Sequence, residues 1–137
     1  MVRSTHPYQL LIADDDSGFR ETLRSVFEPY FVIVVAESGE EAIEKAESTQ
    51  VDIALLDMHM RILTGLDTLR VLKSLNVTAP CILITADATE ALRKDAEEAE
   101  AYSVLAKPVT KGELVTTVST AIEETYDDPN PFASALG

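Results

Sequence analysis

Five short apolar runs alternate with five amphipathic stripes along this chain, and no feature restricts its fold more. The runs are Gln9 to Ala13, Phe31 to Ala36, Val51 to Asp57, Cys81 to Ile84 and Tyr102 to Ala106. They are largely apolar at consecutive positions, the pattern of strands covered on both faces. Between and after them, apolar residues recur at helical spacing: Phe19, Leu23, Val26 and Phe27, then Ala42, Ile43 and Ala46, then Leu66, Leu69, Leu72 and Leu75. A thinner stripe of Ala91, Leu92, Ala96 and Ala99 follows, and Leu114, Val118, Ala121 and Ile122 form the last. Pro29, Pro80 and Pro108 punctuate the boundaries. Ser38 with Glu41, and Thr110 with Glu113, have the spacing of capping boxes that start helices.

Strict strand–helix alternation requires a parallel sheet, because each return to the same edge needs a crossover helix. The expected fold class is therefore α/β: one doubly wound, five-stranded parallel sheet of flavodoxin-like order 2-1-3-4-5, with helices on both faces. Its switch point falls between the first and third strands, where such sheets bind ligands. Residues 1–8 are expected to be a flexible lead-in containing His6, 9–126 the folded domain, and 127–137 a frayed tail with Pro129 and Pro131. At 137 residues the chain has the size of one domain, without a linker or an internal repeat.

Composition narrows the function classes. Eleven basic against twenty-four acidic residues give a formal charge of −13, which opposes direct contact with nucleic acid or anionic lipid. The longest apolar run is far too short to span a bilayer, so no membrane insertion is expected. No segment of signal-peptide character precedes the first strand. A single cysteine, Cys81, inside an apolar run excludes an internal disulfide and suits a reducing, cytoplasmic setting. One Cys and two His do not supply a structural zinc site.

The runs end on polar residues of a particular kind. The first leads into Asp14-Asp15-Asp16, the third ends on Asp57, the fourth leads into Thr85 and the fifth into Lys107. In the expected fold all of these lie at the carboxyl ends of the strands, above the crevice. Carboxylates gathered there repel one another unless a cation sits among them. Oxygen-only ligands select magnesium, with manganese or calcium as alternatives, and magnesium keeps positions open for phosphate oxygens. Thr85 offers a hydroxyl and Lys107 a point charge to such a group.

At these residues the sequence resembles the receiver domain of two-component response regulators. The matching pieces are Leu11-Ile12-Ala13-Asp14-Asp15-Asp16, Ala54-Leu55-Leu56-Asp57-Met58-His59-Met60, Gly65-Leu66, Ile82-Leu83-Ile84-Thr85-Ala86 and Lys107-Pro108, which together span about residues 9–124. The resemblance implies that Asp57 is the phosphoacceptor, taking its phosphoryl group from the phosphohistidine of a sensor histidine kinase or phosphotransfer protein. It implies that Asp14, Asp15, Asp57 and the backbone carbonyl of His59 bind magnesium. It further implies that Thr85 and Lys107 contact the phosphoryl group, that the Lys107-Pro108 bond is cis, and that the surface of helix four, strand five and helix five is switched for a downstream protein. On this reading the chain is a substrate of its kinase rather than a conventional enzyme, able at most to phosphorylate itself from small donors and to hydrolyse its own phosphate. It would be a monomer, or a dimer that forms on phosphorylation.

The chain departs from that family's pattern at Arg61, where proline is usual, at Leu63-Thr64 before Gly65, and at Val104, where the family places its switch aromatic. Strand alternation places Tyr102 on the same face as Val104. His59 and Asp87 occupy positions that vary among relatives, and the His59 imidazole is expected to be solvated. Two other readings are weighed. One is a pseudo-receiver, a protein-interaction module that keeps the fold without using Asp57. The other is a haloacid-dehalogenase-like phosphohydrolase using Asp14 in Asp14-x-Asp16. The second is opposed by Ser17-Gly18 after the motif and by a late acidic pair, Asp127-Asp128, that lies in a proline-containing tail.

Overall fold

The computed structural model describes residues 7–134. Its elements follow the expected alternation: β1 (Gln9–Ala13), α1 (Ser17–Phe27), β2 (Val32–Ala36), α2 (Gly39–Ser48), β3 (Ile53–Asp57), α3 (Gly65–Ser74), β4 (Cys81–Thr85), α4 (Glu90–Glu98), β5 (Ser103–Ala106) and α5 (Lys111–Tyr126). A single turn of 3-10 helix, Pro131–Ser134, closes the described chain. All four strand pairings are parallel and the order is β2-β1-β3-β4-β5, as expected.

Strand parity divides the core into two layers. Leu10, Ile12, Ile53, Leu55, Ile82 and Ile84 pack with Leu23 and Phe27 of α1 and Leu114 and Val118 of α5. Leu11, Ala13, Ala54, Leu56, Cys81 and Leu83 face the other way, toward Ala42 of α2, Leu66, Leu69 and Leu72 of α3, and Ala96 of α4. Each fully buried Leu or Ile contributes roughly 1.5–3 kcal/mol. β3 and β4 are buried throughout because both neighbours and both layers cover them. The two edge strands, β2 and β5, are less covered, and β2 shows it most at its first residue. Val32 there is 40% exposed. Leu75, expected in the α3 stripe, is instead the exposed C-cap of that helix. The buried Cys81 thiol is pushed up to about 11 by desolvation, so it is unreactive at neutral pH.

Caps account for most helix starts. Ser38 accepts from the Glu41 amide, but the Glu41 carboxylate reaches one residue further back than expected and takes the Glu37 amide at 2.6 Å. The Thr110–Glu113 box is complete, and Thr64 with Asp67 makes another at α3.

The two ends of the described chain correct the expectation of a loose lead-in and tail. His6 lies outside the described residues. Tyr8 is buried, stacks on Tyr126 with ring centroids 5.4 Å apart, and donates to Asp128 Oδ2 at 2.7 Å. Phe132 stacks on Tyr30 at 4.7 Å and meets Phe31 edge-on at 5.2 Å. Aromatic area and a buried hydrogen bond order these segments despite their polar and proline content.

Candidate functional site

Asp14, Asp57 and Lys107 continue the parity of Ile12, Leu55 and Leu105, so all three side chains leave the sheet on the α1 side. There the carboxylates of Asp14, Asp15 and Asp57 converge, with one oxygen from each within 4.8 Å of the others. Lys107 Nζ stands 2.9 Å from Asp57 Oδ1. It is close enough for an ion pair but off the line of a hydrogen bond, so that buried oxygen has no hydrogen-bonded partner. The same ammonium lies 4.4 Å from the centroid of the Phe19 ring, a cation–π contact that fixes where its charge sits. The Lys107-Pro108 peptide is cis, as expected.

Asp14 is 1% exposed. One of its oxygens accepts from the Asp16 amide at 2.8 Å, and the other, Oδ2, is buried without a hydrogen bond. Burial raises its pKa to about 6, with the Asp57 charge adding to the effect and the Asp16 amide opposing it. Arg20, a cation nearby, is turned away from these oxygens. Its Nη1 donates to the Asp14 carbonyl at 2.7 Å and its Nη2 pairs with Glu37 at 3.3 Å. Asp16 caps α1 by accepting from the Gly18 amide, which removes it from the acidic cluster. Three carboxylates with an orphaned buried oxygen and one lysine suit a hard divalent cation.

The β3–α3 loop is anchored directly under Asp57. Gly65 donates to the Met58 carbonyl at 3.0 Å. A Cβ on Gly65 would come within 2.5 Å of the Asp57 carbonyl oxygen, so only glycine lets α3 begin against the backbone of that residue.

Thr85 has the opposite parity and leaves the sheet toward α4. Its hydroxyl accepts from the Asp87 amide at 3.0 Å and lies 3.3 Å from His59 Nε2, which is also 3.4 Å from Asp87 Oδ2. The His59 imidazole is solvent-exposed, as expected, and bridges two loops at the surface. Tyr102 departs from expectation. β5 begins only at Ser103, so alternation does not reach Tyr102, which packs with the α1/α5 layer while Val104 packs with the other. The Tyr102 hydroxyl is held by Glu124 of α5; partial burial and that carboxylate push its pKa up to about 12. Asp128, bonded to Tyr8 before β1, lies at the far end of that strand from Asp14 and cannot serve as a late acidic partner to it.

Phe19, Asp16, Arg20 and the His59–Asp87 pair were not singled out from sequence for these roles. Phe19 reads there as one more residue of the α1 stripe, and spacing alone does not reveal that its ring carries an ammonium.

Comparison with known proteins bears on what this arrangement is. The family model of the response regulator receiver domain matches residues 10–119. Response regulator MprA of Mycobacterium sp. (strain KMS) is 30% identical over 131 residues, covering 95% of this chain and 57% of that protein. The chain thus spans somewhat over half the length of that curated relative. Among solved structures, a CheY-like receiver domain protein from Methanospirillum hungatei JF-1 superposes with a TM-score of 0.84 at 21% identity, covering 88% of this chain and 98% of the other. CheY in the CheX-CheY-BeF3-Mg+2 complex of Borrelia burgdorferi does so at 0.80 with 28% identity, covering 84% and 89%. With its sheet order, its acidic crevice and its match to the family model over most of its length, this chain belongs to the response regulator receiver domain family of two-component systems.

Proposed function

We propose that the chain accepts a phosphoryl group onto Asp57 from the phosphohistidine of a sensor histidine kinase or phosphotransfer protein, and that magnesium held by Asp14, Asp15, Asp57 and the His59 carbonyl assists. One observation carries this reading: Asp57, at the end of a fully buried strand, has Lys107 2.9 Å from one oxygen and two further carboxylates gathered beside it. A carboxylate oxygen of Asp57 attacks phosphorus while the P–N bond to the donor imidazole breaks. The bonding pair returns to the ring nitrogen, which takes up a proton, and an acyl phosphate remains. Lys107, steadied by Phe19, balances charge spreading over the equatorial oxygens. A bound magnesium ion would neutralise the acidic cluster and offer further positive charge to those oxygens. The Borrelia relative was crystallised in a complex that contains BeF3 and magnesium, which supports this reading.

Phosphorylation adds negative charge and acceptor oxygens above the switch point. Thr85, now committed to Asp87 and His59, turns its hydroxyl to that group and draws the β4–α4 loop with it. Readout passes through α4, β5 and α5 to a downstream protein, without an aromatic at Val104. Tyr102, tied to Glu124, does not substitute for one. The chain acts in the cytoplasm as a signalling switch rather than as a conventional enzyme. Among the described residues no helix is long and apolar enough to cross a membrane.

Phosphoramidate with magnesium tests the reading. Wild type should gain an acid-stable, base-labile phosphate that Asp57→Asn lacks. Equal labelling of both, or of neither, removes Asp57 as acceptor and leaves an interaction module with a receiver fold.

A further inference from the structure

Among the described residues four non-glycine positions have a left-handed φ: Ile62 at 70°, Asn76 at 63°, Glu100 at 67° and Asp127 at 54°. The last three terminate α3, α4 and α5, where that conformation is ordinary. Ile62 terminates nothing. The Leu63 amide donates to the Arg61 carbonyl at 2.9 Å, so Ile62 is the centre of a three-residue γ-turn in its strained, positive-φ form. For a β-branched side chain this is an outlier that glycine or asparagine would adopt more readily.

Strain of this kind persists only where the surroundings impose it or a contact offsets it. The loop does impose it. Its base is closed by Gly65 on the Met58 carbonyl, and its far end is fixed by the Thr64–Asp67 capping box. Little offsets the strain among the described residues, since Ile62 is 86% exposed. The fold therefore holds a bare aliphatic side chain out from a loop that begins and ends against the backbone of Asp57.

We infer that Ile62 is a docking and specificity residue for the protein that donates the phosphoryl group, seated in an apolar surface beside the donor's phosphohistidine. The inference rests on the phosphoacceptor reading of Asp57. A donor that places phosphorus against Asp57 must cover the crevice and the loop bordering it. A second copy of this chain is the poorer occupant, because each copy carries a formal charge of −13. The crevice around Asp57 is lined by charge, Asp14, Asp15 and Lys107, so an aliphatic contact at Ile62 and the exposed Arg61 next to it offer discrimination that the charged site itself lacks.

The test compares two donors on the whole chain. Phosphoramidate reports the chemistry of Asp57 without docking. The protein donor is the histidine-phosphorylated dimerisation domain, from a panel of sensor kinases of the source genome, that labels wild type fastest. Ile62→Asn keeps a residue that accepts the turn but removes the aliphatic surface; Ile62→Gly removes strain and surface together; Ile62→Val restores a branched aliphatic. With the protein donor, kcat/KM should fall about 10-fold or more in the Asn and Gly variants, through KM, and recover in the Val variant. With phosphoramidate all four proteins should agree within about twofold, and the Gly variant should melt no lower than wild type. Unchanged transfer from the protein donor to Ile62→Asn overturns the inference, as does an equal loss with both donors. If phosphoramidate labels wild type but no kinase domain does, the docking role falls while the acceptor reading stands. Failure of phosphoramidate to label wild type removes both.

Discussion

Two buried aspartates lie at opposite ends of β1, and their surroundings differ in kind. Asp128, 2% exposed, accepts from the Tyr8 hydroxyl at 2.7 Å with one oxygen and from the Asn130 amide at 3.0 Å with the other. Asp14, 1% exposed, has a hydrogen bond on one oxygen and none on the other, and its pKa is raised to about 6. A buried carboxylate with both oxygens supplied holds a fold together. One left with an orphaned oxygen beside two more carboxylates is built to receive something.

The sharpest way to break this contrast is at the crevice itself. Asp57→Asn should abolish the base-labile label from phosphoramidate, a loss of at least about 100-fold, while leaving the melting temperature within a few degrees. At the other pole the large effect is on stability. Asp128→Ala removes the acceptor of a buried tyrosine hydroxyl and should cost roughly 2–3 kcal/mol in denaturant unfolding, with phosphoramidate labelling unchanged.

The isosteric exchange of Asp for Asn should then have opposite signs at the two ends. Asp14→Asn removes a charge that folding must desolvate and should stabilise the metal-free protein by about 1–2 kcal/mol at pH 7. Asp128→Asn should destabilise by about 1 kcal/mol, since a charge-assisted bond becomes a neutral one.

The pH dependence follows from the same pKa. The folded state holds the Asp14 proton more tightly than the unfolded chain, where the value is near 3.8. Ionisation therefore weakens the metal-free fold as pH rises from about 4 to about 6, and the penalty is fully present above that window. The stabilisation in Asp14→Asn should accordingly vanish below pH 4. Magnesium competes for the same oxygens, so its affinity in wild type should fall up to about tenfold per pH unit below 6. Calorimetric titration at pH 5, 6 and 7 checks this. The smallest effect belongs to Phe19→Leu, which should slow phosphoramidate labelling by no more than about fivefold through the loss of a cation–π contact of about 0.5–1 kcal/mol.

Much of the crevice was legible in the chain because it depends on periods. Alternation of runs and stripes sets the strand order, and the polar residues that follow the runs set what stands above the sheet. The other pole was not legible. Tyr8, Asp128 and Phe132 sit in short polar or proline-bearing segments without periodicity, and their order comes from contacts across 120 positions between Tyr8 and Asp128. Tyr102 misled for a local reason: parity is a property of a strand, and the strand starts one residue later. The His59 bridge depends on two loops meeting, which neither loop announces alone.

Parity also bears on how such a chain can drift. Asp14, Asp57 and Lys107 meet because each stands an even number of positions from a residue in the same core layer. Replacing one apolar residue by another within a run leaves that count intact. Inserting or deleting a single residue in β3 would carry Asp57 to the α3 side and turn Leu55 and Leu56 inside out at the same step. Substitutions can therefore accumulate freely along the strands while changes of length are pushed into the loops. The spacing within each run should outlast its letters.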